Sequence, residues 1–263
     1  MPRSSICSGE RWPMPAGSRP ASARSGGPAA QPRRTAMMSR TLPKRPARVG
    51  PAAPPETLPA RIFLLAYDPA KGRLANRSTL GKTLRAAALI DLQLRGNLAD
   101  DNGRAHLTKA APPRDEVLAG LLTEIRTSNP RKWRTWIDRR QSAIVRDTRA
   151  ELERAQLIKV ESHRFLGLIP TQRITLRQPL VRRQLLQRTT DVLRPARLVT
   201  RIDLRDAALA VLASTSDLRT VIPKELRNRH KDRLAQLAIR IGPVAPALKK
   251  SIQASHAAAS GGG

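Results

Sequence analysis

One cysteine, Cys7, is all that 263 residues provide, so no intramolecular disulfide forms and no cysteine-based metal site exists. That matches a reducing cytosol. Acidic residues are scarce as well: 20 Asp and Glu stand against 49 Lys and Arg, a formal net charge of +29. An excess of one sign this large constrains partners rather than fold, and favours nucleic acid, anionic lipid or an acidic protein. No apolar run approaches the roughly 20 residues needed to span a bilayer. Met1 to Glu10 is mostly polar and lacks the apolar segment of a signal peptide. Membrane association is therefore expected to be peripheral.

Catalytic signatures are missing too. The four histidines, His106, His163, His230 and His256, are scattered without ligand spacing. No Gly-x-Ser-x-Gly, phosphate loop or dinucleotide fingerprint occurs, and Gly72 and Gly81 stand alone. Asp100 and Asp101 sit beside a turn, where turn chemistry accounts for them. Trp133 and Trp136 lie three apart and read as core rather than a ligand cage. The expectation is a protein that is not an enzyme, with no catalytic residue, cofactor or metal.

What is present is mostly basic and helical. Residues 1–55 are rich in Pro, Gly, Ser, Ala and Arg, with ten Lys or Arg against the single acid Glu10. Such a stretch buries too little apolar surface to offset its ordering entropy, and reads as a disordered basic tail. Met14, Met37 and Met38 offer alternative starts downstream, so part of it is open to reading as a start-site artefact. A globular domain is expected over 56–256, and a flexible end over 257–263.

Within that domain the pattern predicts a mainly α fold: central buried helices ringed by amphipathic ones, with two small β-hairpins. A short apolar helix covers Leu58–Tyr67, followed by a turn over Asp68–Arg73. Ser78 is placed to cap a second helix ending at Gly96, whose stretch Leu84–Gly96 is apolar on nearly every side and so central. Leu98–Leu107 reads as a hairpin about Asn102-Gly103, a strong turn signal. Helices are expected at Asp115–Thr127, Lys132–Arg139 and Ser142–Gln156, and a strand pair over Ile158–Leu176. Further helices are expected at Pro179–Leu193, Asp206–Ala213, Lys224–Ile241 and Pro246–His256.

Two strings give the chain a relative. LPARIFLLAYDPAKGRL (Leu58–Leu74), followed by LRAAALIDLQLRGNL (Leu84–Leu98), resembles the opening of the Golgi phosphoprotein 3 family. Trp136 falls where that family often has a Trp before its Arg-bearing helix. RFLGLIPTQRITL (Arg164–Leu176), DAALAVLASTSDLRTVI (Asp206–Ile222) and GPVAPALKKSI (Gly242–Ile252) continue the likeness in the same order. The resemblance implies a helical domain that recognises phosphatidylinositol 4-phosphate through one Trp and three Arg. It also implies an adaptor for the cytosolic tails of membrane proteins, held at the cytosolic face of a membrane. Matched residue by residue, the three Arg fall on Arg85, Arg146 and Arg149. The family's Trp falls on Asn76, a departure that leaves Arg73 or Arg77 to supply charge without an aromatic face.

The residues themselves support a phosphate site of this kind. Arg146 and Arg149, three apart on a helix, project to one side. Val145, Thr148, Leu152 and Ala155 are expected to form the adjoining core stripe. Arg85 begins an otherwise apolar helix, where an unpaired cation is costly, so it needs an acid partner or an anionic ligand. Three converging guanidinium groups would hold phosphate through charge-assisted bonds. The plainer alternative pairs Arg85 with an internal Asp or Glu and leaves the other two solvated. A further reading is nucleic-acid binding, because helix Ser142–Gln156 followed by the Ile158–Leu176 hairpin imitates a winged helix with Arg164 and Arg173 on the wing. Phe165, Leu166 and Leu168 read as core, with a membrane wedge as the alternative.

Overall fold

A computed structural model describes residues 53–165 and 169–261, with side chains between 162 and 172 left aside. The basic segment 1–52 and the hairpin apolar residues Phe165, Leu166 and Leu168 thus fall outside the described side chains. The described chain is mainly α, with ten α-helices and three two-stranded antiparallel hairpins.

Helix α1 (Leu58–Ala66) buries nearly every residue, including Leu58, Ile62, Phe63 and Leu65. Left unpaired, its first N–H would be costly in such buried surroundings. The Leu58 N–H donates instead to Asp91 Oδ2 at 2.7 Å, from the helix α2 (Arg77–Leu94). Asp91 is fully buried, and its other oxygen accepts from Arg95 Nε at 2.9 Å and lies 2.8 Å from Arg205 Nη1. One carboxylate thereby caps α1 and ties α2 to α7 (Leu204–Thr215).

Helix α2 is the axis. It packs against α1, α7, α3 (Glu116–Arg126), α4 (Trp133–Asp138), α5 (Gln141–Arg154) and α10 (Val244–Ser260). Thr79 to Leu92 are buried without interruption, as the all-round apolar stretch predicts. It begins at Asn76 rather than Ser78. Asn76 sits in the left-handed region at φ 47°, which Asn tolerates better than most residues. Its amide donates to the carbonyls of Ser216 at 2.6 Å and Asp217 at 2.7 Å. Asn76 therefore locks the start of α2 to the end of α7. Gly96, at φ +75°, follows α2 as expected of a helix-ending glycine.

The hairpin β3 (Leu98–Asp101) and β4 (Arg104–Leu107) turns at Asn102 (φ 51°) and Gly103 (φ 75°), with both central residues left-handed. Strands β5 (Ile158–Phe165) and β6 (Ile169–Leu176) pair in register from Ile158↔Leu176 to Phe165↔Ile169. A third hairpin, β1 (Tyr67–Asp68) with β2 (Arg73–Leu74), stands where a simple turn was expected.

Beyond α6 (Pro179–Asp191), the single helix expected over Lys224–Ile241 is two. His230, at φ −109° and ψ 26°, leaves the helical region between α8 (Lys224–Arg229) and α9 (Lys231–Arg240). Helix α10 runs through Ser260, beyond the expected end at His256. Lys82 fixes α10 to α2: its Nζ donates to the Ser251 carbonyl at 3.0 Å and lies 3.2 Å from Asp138 Oδ1. Among the described residues no helix is long and apolar enough to cross a membrane.

Candidate functional site

The site starts from a glycine. A Cβ at Gly81 would lie 2.7 Å from Gln141 Cβ and 2.9 Å from the Gln141 carbonyl oxygen. Only a hydrogen fits there, so α2 meets α5 at the latter's first residue. One helical turn past Gly81, Arg85 is carried to the same junction.

Arg85 is 3% exposed. Its Nε donates to the Trp136 carbonyl at 2.8 Å and its Nη1 to Glu124 Oε2 at 2.9 Å. The plainer sequence alternative, an internal acid partner for Arg85, is therefore present. Its Nη2 is buried and has no hydrogen-bond partner. Burial lowers the guanidinium pKa from its ordinary value, and Glu124 opposes that shift. Glu124 is itself shared, because its Oε1 lies 3.3 Å from Arg139 Nε. Arg139 in turn lies over the Trp136 ring, 5.6 Å from its centroid. Trp133 and Trp136 are core residues, as their spacing suggests.

Arg85 lines a pocket of about 220 Å³ between α3 and α5, together with Glu124, Arg140, Ala143, Arg146 and Asp147. Arg140 is exposed and precedes α5 in a left-handed conformation (φ 45°). Helix α5 has no side-chain cap and no acid in its first turn, so the positive end of its dipole borders the pocket uncompensated. The acids around the pocket are already engaged. Glu116 meets Arg154 at 2.7 Å, Asp147 meets Arg146 at 3.0 Å, and Glu124 has its two Arg. Arg140 carries no ion pair among the described residues.

The structure thus brings two of the three expected Arg, Arg85 and Arg146, to one pocket. Arg149, half-buried one turn further along α5, is not among the lining residues. The stripe beside them differs by one position at each end. Ile144, Thr148 and Leu152 are buried, whereas Val145 is only half-buried and Ala155 is exposed. Sequence reading missed Arg140 and Glu124. Arg140 precedes the expected start of its helix, and Glu124 lies 39 residues from its partner. No group of His, Cys, Asp and Glu among the described residues is arranged to hold a metal.

No curated protein matches the chain. The sequence model of one family, described as Golgi phosphoprotein 3 (GPP34), matches residues 58–255, which span α1 to the last turns of α10 and contain every residue of the pocket. That match, over most of the chain, settles the assignment: the chain belongs to the Golgi phosphoprotein 3 (GPP34) family.

Proposed function

We propose that this protein is a peripheral membrane protein, without catalytic activity, that binds anionic phosphate-bearing headgroups such as that of phosphatidylinositol 4-phosphate. The observation that carries this reading is the orphan Nη2 of buried Arg85, in a pocket bordered by Arg140, Arg146 and the start of α5. A buried guanidinium nitrogen without an acceptor is costly, and a phosphate oxygen would satisfy it with a charge-assisted bond. Helix N-termini favour the same ligand. Arg149 adds charge on the neighbouring turn rather than a direct contact. Family membership supports extending the proposal to a place at the cytosolic face of a membrane and a role as adaptor for the tails of membrane proteins.

Sedimentation with vesicles tests this. One set carries a phosphate-monoester headgroup and the other an equal charge in phosphodiester lipid. Wild type is expected to prefer the monoester. Arg140→Gln, at an exposed position, should weaken that preference about tenfold, the scale of one charge-assisted hydrogen bond. Arg85→Gln should abolish it. Equal binding to neutral and anionic vesicles at low salt would overturn the proposal, as would tighter retention by random duplex DNA with no lipid preference.

A further inference from the structure

A second cavity, sharing no residue with the first, opens between α7, α8, α9 and α10. Its volume is about 450 Å³, within the range of roughly 300–1,000 Å³ usual for small-molecule sites. Helix α9 contributes Lys231, Leu234, Ala235 and Ala238, at the i, i+3, i+4 and i+7 spacing of one helical face. Val211 of α7 completes an apolar floor. Ile239, one turn past Ala235, is 81% exposed and carries the apolar strip onto the surface.

The charged lining is entirely of one sign. Arg227, Lys231 and Lys249 line the cavity and no Asp or Glu does. Arg227 is committed, with Nη1 donating to Asp217 Oδ1 at 2.5 Å. Lys231 and Lys249 have no ion pair among the described residues. Small alanines leave room along the floor where larger side chains would have closed it.

From this we infer that the cavity is a site for an anionic amphiphile. The chain would lie along Leu234, Ala235, Ala238 and Val211, and the head would be held by Lys231 and Lys249. Apolar floor and cationic mouth match the two ends of such a molecule, whereas a wholly polar anion would leave the floor unused. A fatty-acid-type anion and a single chain of a membrane lipid share this chemistry.

The test uses the full chain and cis-parinarate, a fluorescent fatty-acid anion, below its micellar concentration. Saturable binding is expected, displaced by dodecanoate but by neither dodecanol nor acetate at equal concentration. Lys231→Glu with Lys249→Glu should weaken it about tenfold or more, the loss of two charge-assisted contacts. Ala235→Trp, at an exposed position, fills the cavity without changing charge and should also abolish binding. Arg140→Gln serves as control and should bind parinarate like wild type, which separates this site from the headgroup pocket. Vesicles of anionic lipid distinguish the source. Loss of vesicle binding in Ala235→Trp together with parinarate binding in wild type assigns the occupant to a membrane chain; unchanged vesicle binding assigns it to a free amphiphile. Unsaturable binding overturns the inference. So does affinity that survives both the charge and the filling variants, or equal displacement by acetate.

Discussion

Glu151 shows how much a single carboxyl can decide. It lies on α5 against Asp115, which also caps α3 by accepting from the Leu118 N–H at 2.9 Å. Burial first, and then Asp115, lift the Glu151 carboxyl from 4.5 to about 8, against the pull of Arg154. The native state thus holds this proton more tightly than the unfolded chain does. Its contribution to stability is complete below 4.5 and is lost as pH rises toward 8. Glu151→Gln, which stays neutral throughout, should therefore lose less stability than wild type between about pH 5 and about pH 8.5, read from urea midpoints. Parallel loss in both proteins would place the pH dependence elsewhere. Arg85 is the residue whose chemistry was most legible in the sequence. A cation at the start of a largely apolar, buried stretch announces that it needs a counter-charge, but not that Glu124 and the Trp136 carbonyl supply it.

Among the elements, the α2–α5 junction depends on Gly81 most directly. Gly81→Ala gains helix propensity of about 1 kcal/mol. The new methyl meets Gln141 backbone and Cβ atoms inside 3 Å, so the two helices must separate. Overpacking of this kind costs about 1–3 kcal/mol, and net destabilisation by thermal unfolding is expected, with weaker monoester binding as Arg85 withdraws from α5. Unchanged stability would mean that α5 shifts freely. This role was invisible in the sequence, where Gly81 is an isolated glycine and its neighbour is distant along the chain. The helices themselves were readable, because apolar periodicity and a glycine such as Gly96 mark them locally. The break at His230 was not, since histidine carries no breaker signature. The β1–β2 hairpin was also missed, because two residues per strand are too few to show alternation. Asn76 displaced Ser78 as the start of α2 because contacts with Ser216 and Asp217, far along the chain, fix it there.

For the whole molecule, the formal +29 overstates the charge free to meet a ligand. Several guanidinium groups are spent on backbone carbonyls: Arg61 on Pro55, Arg205 on Glu56, Arg233 on Val192 and Arg197, Arg240 on Val199 and Ile202. These act as internal struts. The ten basic residues before residue 53 are a separate reservoir. Near an anionic leaflet each contributes about 1 kcal/mol, screened over roughly 10 Å at 0.1 M salt. Removing residues 1–52 should lower affinity for anionic vesicles and flatten its salt dependence, while the preference for monoester over diester headgroups persists. If the preference vanishes with the segment, selectivity does not reside in the α3–α5 pocket.

The carboxylate seated beside Arg85 would have one more effect if the pocket takes a headgroup. On the proposed reading, an incoming headgroup would compete with an anion that the protein already owns, and a singly charged phosphodiester would gain little by approaching. A dianionic monoester would offer more charge than Glu124 does, and could take the vacant Nη2 while Glu124 stays with Arg139 and Nη1. The resident acid would then act as a threshold, admitting the more highly charged headgroup and rejecting the common lipids around it.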